Sequence, residues 1–181
     1  MSRINLIEKT TANAEQEQLL NAIQDQLGMV PNFLKVFANS PAALRAFLGL
    51  HEIANDGLLD GQTRERIALA VAQQNSCQYC VSAHTAIGRK AGLSTEEIAA
   101  NRAGKSHDAK AAAAVAFAQA LVDHTGEITT TELDQVRRAG YSDAEVVEII
   151  THVGLNLLTN ILGKASRVEI DFPQVELAMA S

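Results

Sequence analysis

The chemistry of this chain is concentrated in Asn75-Ser76-Cys77-Gln78-Tyr79-Cys80-Val81-Ser82-Ala83-His84, which holds both cysteines and, four residues after the second, a histidine. A Cys-x-x-Cys pair can close a small disulfide ring or supply part of a metal site, and both uses draw on the thiolate rather than on packing. On a helix, Cys77, Cys80 and His84 fall within an arc of about 60°. At a helix start the free N–H groups and the positive dipole end favour a thiolate, and an imidazole one turn on can exchange a proton with the second sulfur. Such a site is equipped to make and break a disulfide. A metal centre needs at least one further ligand, usually two for structural zinc, and no second Cys-x-x-Cys or histidine pair follows at ligand spacing. His51, His107, His124 and His152 could contribute only through the fold, so metal ranks below the disulfide. Two buried apolar cysteines beside a surface histidine form the third reading and rank equally low.

The elements that must position this segment read as helices throughout. Leu19, Leu20, Ile23 and Leu27 mark a first helix over 14–27, stopped by Gly28. A short helix over 33–37 follows Val30-Pro31-Asn32, and Ser40-Pro41 caps and opens the next, which reaches the turn Asn55-Asp56-Gly57. Residues 62–74 are charged at the start and apolar later, as in a helix entering a core, with Glu65 and Arg66 at its entrance. Asn75-Ser76 supply the break and the cap for a helix from Cys77 to Ala91. Ser94 to Glu97 reads as a capping box for a short helix to about Arg102, followed by helices over 107–124, 129–138 and 143–164. The last is apolar on nearly every face, which requires a central position or a second subunit. Ala91-Gly92-Leu93-Ser94 with Glu97 resembles Ala139-Gly140-Tyr141-Ser142 with Glu145, best read as two independent uses of common helix punctuation. No segment has useful strand periodicity, which argues against a thioredoxin fold for this Cys-x-x-Cys.

The 181 residues, 47% hydrophobic, suffice for one domain, read as 1–181 with an extended arm over 1–12 and an extended tail over 166–181. With 4% aromatic residues and no Trp, the core must be built from Ala, Leu, Ile and Val. A net charge of −6 with scattered basic residues offers no grip on nucleic acid. No apolar h-region opens the chain and no run approaches roughly 20 apolar residues, so no membrane partner and a cytoplasmic location are expected. In a reducing cytosol, redox or metal use of the cysteines outweighs a permanent staple.

Glu65, twelve residues before Cys77, together with Cys77-Gln78-Tyr79-Cys80 and His84, resembles the Glu…Cys-x-x-Cys-x-x-x-His signature of alkylhydroperoxidase D-like (AhpD-like) proteins in the carboxymuconolactone decarboxylase superfamily. The Val30-Pro31-Asn32 segment, the helix order and the closing Glu169-Ile170-Asp171-Phe172-Pro173 are similar to its peroxidase-related branch. The resemblance implies an all-α helical bundle of about eight helices, with the Cys-x-x-Cys at the start of a buried helix, assembled as a trimer or hexamer. It implies a thiol-dependent (alkyl) hydroperoxide reductase needing no cofactor and no metal. By position Cys80 resembles the peroxidatic cysteine, Cys77 the resolving one, and Glu65 with His84 the proton relay. A dithiol, thioredoxin or lipoyl-type reductant would then regenerate the thiols. The helix dipole taken alone favours Cys77 as the lower-pKa thiol, and well-studied hydroperoxidases of this type carry a histidine where Tyr79 stands. A non-enzymatic redox-responsive oligomer and a decarboxylase or lactone-processing enzyme, like the founding branch, are the alternatives. The latter does not rely on the cysteine pair.

Overall fold

The computed structural model describes residues 2–178, and every regular element in them is an α-helix. The order is α1 (Ala14–Leu27), α2 (Asn32–Phe37), α3 (Pro41–Asn55), α4 (Gly61–Gln74), α5 (Gln78–Lys90), α6 (Thr95–Arg102), α7 (Ala109–Asp123), α8 (Thr130–Arg138) and α9 (Asp143–Ser166). The all-α expectation holds, with nine helices among the described residues where about eight were anticipated. Ser166 closes α9 rather than opening the tail, and residues 2–12 hold a turn but no helix. The first residue of the expected arm and residues 179–181 of the expected tail lie outside the described residues.

Local chemistry accounts for the helix ends. Asn13, Ser40, Asp60, Ser94, Asp108, Thr129 and Ser142 each accept a hydrogen bond from the N3 backbone N–H of the helix they precede. The two similar stretches share one backbone form: Gly92 and Gly140 are left-handed, at φ 95° and 96°, and each is followed by a serine cap. They part at the glutamate. Glu145 closes its capping box on Ser142, whereas Glu97 turns inward, so the box expected at Ser94 is only half formed.

The core is organised on α4. From Ile67 to Ala72 every residue is buried, and α5, α6, α7 and α9 all pack around it. Alanines at 68, 70 and 72 let those helices approach closely. α9 presents Val146, Ile149 and Val153 to a cluster with Ile67, Val71, Phe117 and Val136, and Leu155 to a second cluster with Leu20, Leu34 and Phe47. Each such side chain contributes about 1.5–3 kcal/mol through burial. By length and composition α9 could cross a membrane, although the sequence shows no unbroken run of about 20 apolar residues. In the fold it packs along α3, α4, α5, α7 and α8.

Glu97 ties α6 and the loop after it to α4. Its carboxylate pairs with Arg66 Nε at 2.8 Å and accepts from Asn101 Nδ2, Ser106 Oγ and the His107 N–H. These donors hold its pKa at about 2 against the desolvation that opposes them. A carboxylate with a depressed folded pKa adds stability above its unfolded pKa of about 4.5 and loses it as pH falls toward about 2. Glu97→Gln is therefore expected to cost about 2–3 kcal/mol near neutral pH, with the difference from wild type shrinking below about pH 4, as read by urea unfolding across pH.

Candidate active site

The sulfur site begins where α4 stops. The Cys77 N–H reaches back to Ala72 O at 2.9 Å and the Ser76 N–H to Gln73 O at 3.0 Å, the 6→1 and 5→2 bonds of a Schellman ending. Its left-handed position, usually glycine, is filled by Ser76 at φ 52°. Ser76 therefore ends α4, and the N-cap of α5 is Cys77, not Ser76 as the sequence suggested. Cys77 Sγ accepts the Cys80 N–H at 3.4 Å and is disulfide-bonded to Cys80, with the Cα atoms 5.3 Å apart. Cys77 thus stands in front of the helix, while Cys80 and His84 lie within it, one turn apart.

Both sulfurs are buried, with Cys77 1% and Cys80 4% exposed. α9 passes against them at Gly163, where an added Cβ would stand 3.3 Å from Cys77 Sγ and 3.9 Å from Cys80 Sγ. It also secures the turn: Lys164 Nζ donates to Asn75 O at 2.7 Å, and Asn75 Nδ2 donates to Asn160 Oδ1 at 3.0 Å. Nothing local in the sequence marks Gly163, because its reason lies 83 to 86 residues away in the chain.

Glu65 on α4 and His84 on α5 meet with Oε2 to Nδ1 at 2.8 Å, both largely shielded from solvent. The arginines beside Glu65 are engaged elsewhere: Arg64 donates to Asn55 O and Leu59 O, and Arg66 pairs with Glu97. In the tautomer that donates Nδ1–H to Glu65, His84 keeps Nε2 as a free base. His51 on α3 shares this neighbourhood. Desolvation lowers its pKa, the His84 charge lowers it further and Glu65 opposes both. Its ring lies against Phe47, and Asn55 Nδ2 is 3.1 Å from Nδ1. His152 is a buried histidine with Nε2 3.1 Å from Ala54 O, its pKa lowered chiefly by desolvation. Among the described residues no group of three or more His, Cys, Asp or Glu side chains is placed to hold a metal ion.

Tyr79 is bound into the C-terminal tail. Its hydroxyl donates to Asp171 Oδ1 at 2.7 Å and accepts the Phe33 N–H at 3.4 Å, and its ring meets Phe33 and Phe172 edge-on. Burial, then the Asp171 hydrogen bond, pushes its pKa well above the ordinary tyrosine value. Because the sulfurs fill the space at Gly163, Gly163→Val is expected to lower stability by about 2–3 kcal/mol through overpacking, and Gly163→Ala by about 1 kcal/mol or less, as measured by denaturant unfolding of the oxidised protein.

Residues 41–123, from α3 to α7, match the sequence profile of the Carboxymuconolactone decarboxylase family. "Uncharacterized protein 4 in cox locus" of Paracoccus denitrificans is 39% identical over 54 residues, 29% of this chain and 49% of that protein. The chain thus spans about half the length of that curated relative. Among solved structures, an "alkylhydroperoxidase AhpD core: uncharacterized peroxidase-related protein" from Ralstonia eutropha JMP134 superposes with a TM-score of 0.84 at 24% identity, over 94% of this chain and 92% of the other. An "uncharacterized peroxidase-related protein" from Silicibacter sp. TM1040 gives 0.81 at 26% identity, over 93% and 91%. The helical architecture, the family match over residues 41–123 and the disulfide at the start of α5 agree, and the chain resembles the AhpD-like proteins of the carboxymuconolactone decarboxylase superfamily.

Proposed function

We propose that residues 1–181 form one AhpD-like domain that acts as a thiol-dependent hydroperoxide reductase, with Cys80 peroxidatic, Cys77 resolving, and Glu65 with His84 as the proton relay. The observation that carries this reading is the Glu65–His84 contact one helical turn from Cys80, beside a disulfide already formed. His84 Nε2 takes the proton of the Cys80 thiol, the thiolate attacks the terminal oxygen of R–O–OH, the O–O bond breaks, and the alkoxide leaves as alcohol with that proton from His84. The Cys80 sulfenic acid then condenses with the Cys77 thiol, forming the disulfide and releasing water. A thioredoxin- or lipoyl-type dithiol returns two electrons. The Cys80 N–H directed at Cys77 Sγ suits Cys77 to leave as the thiolate in that last exchange.

Cys80→Ser is expected to abolish hydroperoxide consumption with a dithiol donor, whereas Cys77→Ser should form a single Cys80 sulfenic acid that a dimedone-type reagent traps. Unchanged turnover in Cys80→Ser would refute the cycle. Glu65→Gln, with its helical content intact, should lower kcat/KM by about 100-fold, since a positioned proton carrier contributes on that scale.

A cytoplasmic homo-oligomer, trimer or hexamer, completes the reading. Its support is a face of α9 on which Val147, Ile150, Leu158 and Ile161 are exposed at helical spacing, with Leu50 and Ile53 exposed on α3. Val147→Asp combined with Ile161→Asp is expected to reduce the sedimenting mass to that of one chain without loss of helix signal. Retention of the larger mass would move the interface elsewhere.

A further inference from the structure

The disulfide has a second boundary that the peroxide chemistry does not use. After α9, residues 168–178 run without regular structure, and Val168, Ile170, Phe172, Val175 and Leu177 pack into the apolar cluster that contains both sulfurs. Asp171 fastens this stretch to the first turn of α5 through Tyr79, and to α2 by accepting the Asn32 N–H at 2.7 Å. Beyond it most of the bonds address main chain, the exception being Gln78 Nε2, which also donates to Glu176 Oε2 at 3.2 Å. Ser82 Oγ accepts the Val175 N–H at 3.0 Å and Gln78 Nε2 donates to Val175 O at 3.4 Å. Gln73 pairs with both the N–H and the carbonyl of Ala178, at 3.3 and 3.2 Å, and Arg102 donates to Glu176 O. Side chains on α4, α5 and α6 thus recognise an extended backbone, as a strand edge does, with apolar seats for alternate side chains. Any extended apolar segment meets those requirements.

We propose that residues 168–178 are a displaceable strap that bars a dithiol reductant from Cys80, and that the groove beneath it receives an extended segment of that protein reductant. The strap deepens the redox cycle proposed above and has a biological role only if that cycle operates. Cys80 is 4% exposed and shares its apolar cluster with the strap, and in this proposal a protein thiol aligns with the S–S bond once the strap lifts. Its thiolate then attacks Cys80 Sγ and forms a mixed disulfide, while Cys77 leaves as a thiolate facing the Cys80 N–H. The reductant's second thiol attacks the mixed bond and releases Cys80. Two electrons and two protons pass to the protein, and the reductant departs oxidised.

Reduction can be read without peroxide, by timed maleimide mass-tagging of free thiols after the oxidised full chain is mixed with a thioredoxin-type protein or with dithiothreitol. Failure of hydroperoxide turnover therefore leaves the result intact. Asp171→Ala and Phe172→Ala are each expected to speed reduction by the protein dithiol about fivefold or more, and to raise amide exchange over residues 172–178. Excess peptide Asp-Phe-Pro-Gln-Val-Glu-Leu should slow the variants again. Two substitutions are used so that a folding failure in one, judged by circular dichroism, leaves the other to decide. A folded variant reduced at the wild-type rate would overturn the proposal, whether or not strap exchange had risen.

Discussion

The site depends on the reversal between α4 and α5. The chain must leave a helix that is buried all round and re-enter the core within three residues, which forces Ser76 into a left-handed conformation costing about 1–2 kcal/mol for a residue with a Cβ. The turn consumes the Cys77 N–H in ending α4, so the cysteine side chain becomes the cap of α5. It also folds α5 back along α4. At a rise of about 1.5 Å per residue, Glu65 lies about 16 Å from Ser76 along α4 and His84 about 12 Å along α5, a mismatch that two long side chains can span. The twelve-residue spacing between Glu65 and Cys77 is thus a length matched to a hairpin.

α9 holds that hairpin in place and divides its faces among three demands. One face buries Val146, Ile149 and Val153, another brings Gly163 against the sulfurs and Lys164 and Asn160 to the end of α4, and a third leaves Val147, Ile150, Leu158 and Ile161 uncovered. A helix that meets all three cannot be amphipathic, which explains its apolar character in nearly every direction.

Helices and most of their ends were legible because periodicity and capping are local. What escaped was governed by distant partners. Glu97 has the spacing of a capping box, yet Arg66, thirty-one residues earlier, and Ser106 draw its carboxylate inward. Ser76 looks like a cap, but the Schellman bonds of α4 claim it first. Glu65, Cys77, Cys80 and His84 were selectable by type and spacing, and the fold brings Glu65 to His84. Gly163 was not, and Asp171 stood out only within the closing stretch 169–173 with nothing local to pair it with Tyr79, since each matters through a residue more than eighty positions away.

The hydrogen bond between Tyr79 and Asp171 also gives the molecule an optical signature. The chain has two tyrosines and no tryptophan, so tyrosine dominates its ultraviolet emission. One of those two fluorophores, Tyr79, sits in the first turn of α5 with its hydroxyl bound to a carboxylate and its ring clasped by Phe33 and Phe172, while Tyr141 belongs to the separate cluster around Phe117. A carboxylate acceptor and a neighbouring disulfide both quench phenol emission, so one of the chain's two tyrosines reports on the bond it adjoins.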